Sequence, residues 1–283
     1  MKIFKNSIFA AALILLSALS CDKTEGPVSM PQVTETVTYS VALDQQTKAL
    51  GEGNSVTHIW CAAYKVVNDN GVISYTLSSE SLSPFVDGTA QCKVDMVRDQ
   101  SYKVVFVGQH YNGQSPVYQI VKESARINMP VIAATNSDDY DLFTYVDPVT
   151  DFKPRAAKNV TLSRQVAQIN FVASSADLTA AAIAGRTPTH SAVSLTSVPE
   201  YISILDGTAS TSTVEVQYAK SPLTGEAEQL ATVFCLSSKD GNDVVASLYI
   251  YKENEELKKY ESIAQIPSKV NYKTNVTVSY TFE

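Results

Sequence analysis

The chain has 283 residues, of which 45% are hydrophobic and 18% charged, with 22 Lys and Arg against 29 Asp and Glu. That acidic balance argues against nucleic acid or an acidic polymer as partner, and the length suits one large domain or two ordinary ones, each able to bury a core. Two is the expectation. The four cysteines include no Cys-x-x-Cys pair, so neither a zinc site nor a dithiol redox motif is indicated.

The opening stretch is an address label rather than part of the fold. Lys2 and Lys5 precede an uncharged run from Ser7 to Ser20, about 14 residues, shorter than the ~20 a membrane-spanning helix needs. Ala18, Ser20 and the following Cys21 resemble the lipobox of bacterial lipoproteins. There the thiol is needed as the nucleophile that takes diacylglycerol as a thioether before the bond in front of it is cut. At roughly 0.8 kcal/mol per buried methylene, two or three acyl chains hold a protein in a bilayer. Residues 1–20 are read as a lipoprotein signal peptide cut between Ser20 and Cys21. Residues 21–31, with Asp22-Lys23-Thr24-Glu25-Gly26-Pro27, are read as a tether, and outer-membrane lipid is the implied partner. The competing reading is a plain secretory signal with a coincidental cysteine.

From Val33 the period is two: Val33, Val37, Tyr39, Val41 and Leu43 share one face, and Thr34, Thr36, Thr38 and Ser40 the other, as in a half-buried strand. A polar, glycine-bearing loop follows over 44–54. Val56 to Val67 is almost continuously apolar and reads as a central strand. Asn68-Asp69-Asn70-Gly71 is a hairpin signal, since Asn and Gly accept the positive φ such turns require, and Val72 to Leu77 returns. Further strands are expected at Ala90–Val97, Tyr102–Gln109 and Val117–Val121. Pro148 and Pro154 fall in a polar stretch where the domain boundary is placed.

A second set of strands is expected at Val160–Leu162, Val166–Val172, Val193–Val198, Tyr201–Leu205, Thr213–Tyr218, Ala231–Leu236 and Val244–Lys252. One helix is expected, from an N-cap at Ser174 with Asp177 three residues on to a stop at Gly185. The mixed charges of Lys252–Lys259 suggest a solvated hairpin. The chain closes on Tyr272, Thr274, Val276, Val278, Tyr280 and Phe282 alternating with polar residues, a full-length amphipathic strand. Short strands at this spacing indicate antiparallel sandwiches. The expected architecture is all-β, two tandem β-sandwiches over 32–152 and 153–283 with one short helix in the second.

The order of segments resembles the fimbrillin-like lipoproteins of the Bacteroidales. The likeness rests on the lipobox, the first strand, the Thr47-Lys48-Ala49-Leu50-Gly51 loop, Asp138-Asp139-Tyr140-Asp141, Leu162-Ser163-Arg164-Gln165-Val166, Val198-Pro199-Glu200-Tyr201 before Leu205-Asp206-Gly207, and Asn271-Tyr272-Lys273-Thr274-Asn275-Val276. It implies transthyretin-like sandwiches, lipid anchoring at the outer membrane, and a structural or adhesive role in fimbriae (type V pili), with other fimbrial subunits as partners. It also implies a maturation cut in the loop after the first strand, at Lys48-Ala49, where the family usually has Arg. Physical chemistry adds an independent point: a sheet that loses a strand offers unpaired main-chain groups and an apolar slot to another alternating strand. Val37, Tyr39, Val41 and Leu43 belong to the strand that is a candidate for removal. Val276, Val278, Tyr280 and Phe282 belong to the candidate for donation. Both are equally readable as edge strands of a monomer.

No catalytic, cofactor or metal constellation emerges. His58, His110 and His190 are scattered, and the Asp138, Asp139, Asp141 group lacks the Gly and final Glu of a calcium loop. Neither a phosphate loop nor a Gly-x-Ser-x-Gly elbow occurs, so no enzyme is expected. With Cys21 lipidated, Cys61, Cys92 and Cys235 remain; Cys61 and Cys235 lie in apolar runs and read as buried thiols, and a Cys61–Cys92 bridge stays open. The alternative function is a surface glycan-binding lipoprotein of a polysaccharide uptake system, which requires an exposed aromatic platform.

Overall fold

Period-two alternation is converted into strands almost wherever it occurs. The computed structural model describes residues 32–44, 55–154, 156–225 and 228–281. The signal peptide and tether over 1–31, including Ser20 and Cys21, lie outside the described residues, as do Lys48, Ala49 and Phe282. The N-terminal half contains β1 (Thr34–Leu43), β2 (His58–Asp69), β3 (Val72–Pro84), β4 (Ala90–Val97), β5 (Tyr102–Gln109), β6 (Tyr111–Asn112), β7 (Ser115–Pro116), β8 (Gln119–Val121), β9 (Arg126–Asn128), β10 (Ile132–Ala134) and β11 (Leu142–Val149). There follow β12 (Lys158–Arg164), β13 (Val166–Val172), helix α1 (Ser175–Ile183), β14 (His190–Pro199), β15 (Tyr201–Ser203), β16 (Thr213–Pro222), β17 (Gln229–Leu236), β18 (Asn242–Lys252), β19 (Glu255–Ser268) and β20 (Lys273–Thr277). The helix starts as expected, because the Ser174 side chain accepts from the Asp177 amide at 3.0 Å, and it stops where Gly185 takes φ +68°.

The strands form a seven-stranded sheet in the order β3-β2-β5-β11-β12-β1-β4, a five-stranded sheet β10-β16-β14-β18-β19, and three-stranded sheets β17-β13-β20 and β15-β9-β8, with β6-β7 a two-stranded pair. The architecture is thus all-β, as expected, although β1–β12, β10–β16 and β13–β20 pair in parallel. Each of these parallel pairs joins segments far apart in sequence, where no hairpin fixes an antiparallel direction.

Three expectations need correction. Leu142–Val149 is a strand, running beside β5 with Pro148 opposite Lys103. β12 pairs with β11 only at Phe143 and Thr144, so Pro148 sits where no second ladder needs its missing amide. Lys158–Arg164 does not open a new sheet after residue 153. It completes the first one, pairing with both β1 and β11, and the chain crosses to the next sheet through Gln165 alone. The closing strand is five residues long, not eleven, because the ladder ends where β13 does: the Val278 amide makes the last bond, to Val172, and the chain beyond turns to other partners.

Two apolar clusters hold these layers. β1, β4 and β12 point Val37, Tyr39, Val41, Val94, Met96 and Leu162 into one. β2 and β5 are buried on both faces: Ile59, Ala63, Val104 and Phe106 face that cluster, while Trp60, Ala62, Tyr64, Val105 and Val107 face a second, shared with Phe171, Phe234 and Leu248. Double burial explains why these two strands read as unbroken apolar runs. Residues Val33–Glu283 accordingly cluster as one compact unit.

The crossing at Gln165 is fixed by a buried ion pair. The Nε and Nη2 atoms of Arg164 donate to the two carboxylate oxygens of Asp141, each at 2.7 Å, with both side chains at most 3% exposed. The guanidinium also lies 5.4 Å from the Phe143 ring centre. Burial pushes the Asp141 carboxyl up to about 6, against the pull of Arg164 and the Leu142 amide. Arg164→Met, by stranding that carboxylate, is expected to cost about 3–5 kcal/mol in urea unfolding, and the double variant Arg164→Met/Asp141→Leu to recover most of it. Equal losses in both would show that the pairing itself contributes nothing. Since the folded-state value lies above the ordinary 3.8, the folded chain holds the proton more tightly, and the wild type should lose stability as pH rises from about 4 to about 6. The double variant should lack that slope.

Candidate functional site

The first strand occupies an interior slot. β1 pairs in parallel with β12 (Tyr39 opposite Lys158, Leu43 opposite Leu162) and antiparallel with β4 (Thr34 opposite Val97, Val41 opposite Ala90). Its candidate exchange residues Val37, Tyr39, Val41 and Leu43 are all buried, whereas Val33, expected on the same face, is 48% exposed because the ladder begins after it. Tyr39 is the anchor. Its ring meets Phe106 edge-on at 5.0 Å, and its hydroxyl donates to Asp147 Oδ2 at 3.2 Å; Lys158 Nζ donates to Asp147 Oδ1 at 2.6 Å. The far end of the slot depends on Gly108, where a Cβ would stand 2.9 Å from Ile59 Cδ1 and 3.4 Å from Leu43 Cδ2. Phe106, Gly108 and Asp147 are slot residues that no local pattern marks, since they lie on strands distant from β1 in the chain.

The other side of β4 is closed by side chains. Ser79 and Ser81 of β3 accept from the Asp95 and Lys93 amides at 2.9 and 3.3 Å, and the Ser83 hydroxyl donates to the Gln91 carbonyl at 2.8 Å. Three hydroxyls at period two therefore stand where a further strand's main chain would. Their spacing, Ser79-x-Ser81-x-Ser83, is visible in the sequence, but its meaning requires knowing that β4 lies opposite.

The C-terminal strand docks on its own chain. β20 runs parallel to β13, and a polar row running outward from the core sets the register: Thr232 Oγ1 donates to Asn170 Oδ1 at 2.9 Å, both buried, and Asn170 Nδ2 donates to the exposed Asn275 Oδ1 at 3.0 Å. Candidate donor residue Val276 is half-buried in β20. Val278 and Tyr280, both buried, follow the strand; the Val278 amide donates to the Val172 carbonyl at 2.9 Å. Tyr280 donates its amide to Asp177 Oδ2 at 3.0 Å and its hydroxyl to the Arg186 carbonyl at 3.3 Å, and burial raises its phenol. Lys258 and Tyr260 reach back to the Thr281 and Ser279 carbonyls at 2.5 and 2.7 Å, so part of the charged hairpin expected to be merely solvated holds this segment.

The two candidate strands carry nearly the same pattern. Thr36-Val37-Thr38-Tyr39-Ser40 matches Thr277-Val278-Ser279-Tyr280-Thr281 position by position in residue class, with the first Thr, the Val and the Tyr identical. The fold does not bring them together: β1 lies in the seven-stranded sheet and β20 in a separate one.

Other polar residues noted in the sequence are structural. His110 Nδ1 and Nε2 lie 2.8 Å from Ser55 O and 3.1 Å from Asn112 Oδ1, and His58 and His190 contact neighbouring threonines. Trp60 Nε1 donates to Glu80 at 2.8 Å, and Lys122 to the same carboxylate at 2.7 Å. Asp138 and Asp139 form a turn, but Asp141 turns inward to Arg164 instead of toward solvent. Among the described residues no group of three or more His, Cys, Asp or Glu side chains is placed to hold a metal, and no helix is long and apolar enough to cross a membrane.

Structural neighbours lie among the Bacteroidales. A Bacteroides ovatus protein assigned to cell adhesion superimposes with a TM-score of 0.50 at 12% identity over 88% of this chain and 93% of that one. A Bacteroides thetaiotaomicron protein assigned to polysaccharide binding gives 0.48 at 9% identity, covering 86% and 90%. The fimbrial anchor protein Mfa2 of Porphyromonas gingivalis gives 0.44 at 15% identity, covering 80% and 82%. The first likeness supports the fold. No curated protein matches the sequence significantly. The model of a family of unknown function, DUF6562, matches residues 28–279, nine-tenths of the described body and more, and the chain therefore belongs to that family.

Proposed function

We propose that this chain is a non-enzymatic, fimbrillin-like subunit of bacterial surface fimbriae, structural or adhesive, that assembles by strand exchange. In this reading Cys21 anchors it to outer-membrane lipid after removal of residues 1–20, and a cut at Lys48-Ala49 frees β1. Two sandwiches in series make up the body, the first closed by β12 and ending at Arg164, so that the junction falls past residue 152. The observation that carries the reading is the matched pattern of the two strands around Tyr39 and Tyr280, with Tyr39 seated in a slot that has an aromatic wall and a polar end. A strand from a second copy, entering with Tyr280 in place of Tyr39, would meet Phe106 and Asp147 and regain the main-chain pairing of β12 and β4. The fold it shares with a protein assigned to cell adhesion agrees with this role.

A second reading, glycan binding, draws on Tyr249 and Tyr251, which share the outer face of β18. Both rings already carry lysines, Lys259 at 5.1 Å and Lys220 at 5.2 Å, which leaves less free aromatic surface than a sugar platform needs.

The test is to fold the chain intact, cut it within residues 45–50, and add a labelled peptide of residues 272–283. Binding to the cut chain but not the uncut one is expected, and Tyr280→Ala in the peptide should weaken it about 100-fold, the loss of one buried aromatic. A cut chain indifferent to the peptide sinks strand exchange; if that chain instead retains sugars on a glycan array, the second reading replaces the first. In the intact chain, Tyr39→Ala is expected to cost about 3–5 kcal/mol of unfolding free energy and to promote peptide binding without any cut.

A further inference from the structure

Cys61 and Cys92 meet beneath the seam where the serine row of β3 faces β4. Cys61 lies in β2 opposite Ser81, and Cys92 lies in β4 between Gln91 and Lys93, whose main chains are held by Ser83 and Ser81. β2 and β4 pack directly on one another, both side chains are 0% exposed, and both belong to the first apolar cluster. Ser81 thus links the two strands, pairing with Cys61 across the β2–β3 ladder and accepting from the amide that follows Cys92. Nothing about packing alone requires two sulfurs here, since an alanine and a valine fill such a space without polar atoms. Cys235, by contrast, is buried in the other cluster beside Ser268 and has no cysteine neighbour among the described residues.

We propose that Cys61 and Cys92 form a disulfide in the exported protein, a covalent clamp from β2 to β4. The proposal rests on the reading of the chain as an exported protein, because a buried bridge forms where folding proceeds in an oxidising compartment. The oxidant is a disulfide of the thiol–disulfide exchange class. One of the two thiols loses its proton and its sulfur attacks the oxidant, giving a mixed disulfide and one released thiol. The other cysteine's sulfur then displaces the second thiol, so that two electrons and two protons leave the protein and reduce one disulfide to two thiols. Both groups are inaccessible once the cluster closes, so the exchange precedes the last step of folding.

The clamp bears on strand exchange. Among the described residues β4 has main-chain ladder contact with β1 alone, and on its other side hydroxyls, those of Ser79, Ser81 and Ser83 and that of Tyr102, which accepts from the Val97 amide. Departure of β1 therefore leaves β4 without a ladder, and a bond from Cys92 to Cys61 keeps that wall of the slot in place.

The experiment is refolding of the chain without residues 1–21, which leaves Cys61, Cys92 and Cys235, in mixed reduced and oxidised glutathione, followed by denaturing alkylation and mass spectrometry. A loss of about 2 Da, a cross-linked peptide containing Cys61 and Cys92, and an alkylated Cys235 are expected. The bridge should raise the folding equilibrium constant by roughly two to three orders of magnitude over the reduced form, as for a closed loop of about 30 residues. Cys61→Ala and Cys92→Ala should each abolish the response to oxidant. Three alkylated thiols after refolding, or a bridge to Cys235, overturn the proposal on its geometry. Where the bridge forms on refolding, chain taken from cells with its thiols trapped in acid supplies the second arm. A bridged molecule there supports the proposal, and a reduced one overturns it for the cell by removing the export reading on which it rests.

Discussion

Everything else in this molecule depends on β2 and β5 being buried on both faces. A strand in the middle of a sandwich usually keeps one face for the core and gives the other to water or to a partner. Here Ile59, Ala63, Val104 and Phe106 point one way and Trp60, Ala62, Val105 and Val107 the other, into two clusters that share these strands. The sheet is thus a wall common to both halves. A transition between sheets that takes only Gln165 is possible because the wall is already in place, and the Arg164–Asp141 pair fixes the corner at which the chain leaves it. Exchange of one strand at the far side of the seven-stranded sheet would bare Phe106 on one face of this wall but leave its ladder and its other face in place, which is what an interchangeable element needs.

Much of this was legible in the residues. Alternation located β1 and β4, because one-sided burial imposes a period of two, and unbroken apolar runs located β2 and β5. The helix was readable from Ser174, Asp177 and Gly185 alone. The errors have physical causes. Pro148 argued against a strand, and only the fact that β12 leaves β11 after two residue pairs explains why proline is tolerated there. β19 was missed because its first half is charged and its register slips against β18, with Ser262 and Gln265 at positive φ breaking the alternation. Asp141 looked like one more acid in a polar turn. Its partner is 23 residues away, and burial of an ion pair is a tertiary event that carries no local mark.

The candidate site divides in the same way. The exchange residues on β1 were identifiable, and their burial followed from the pattern. The slot that receives them was not, because Phe106, Gly108 and Asp147 come from two other strands. The C-terminal strand was overextended for a related reason: alternation in Tyr272–Phe282 continues to the end, but β13 runs out with the Val278 amide on Val172, and what holds Tyr280 is the Asp177 carboxylate in the first turn of α1, with Lys258 and Tyr260 of β19 on the neighbouring carbonyls. A segment whose sequence alternates beyond the ladder it occupies has more strand-forming capacity than its present partner uses.

The serine row on β3 has a further implication. By filling the outer main-chain positions of β4 with hydroxyls, Ser79, Ser81 and Ser83 leave the open site created by a departing β1 as a single lane with fixed walls. Under strand exchange each copy then has one socket and one plug. Chains assembled in this manner are unbranched, and their length is governed by whichever copy arrives with its socket already filled.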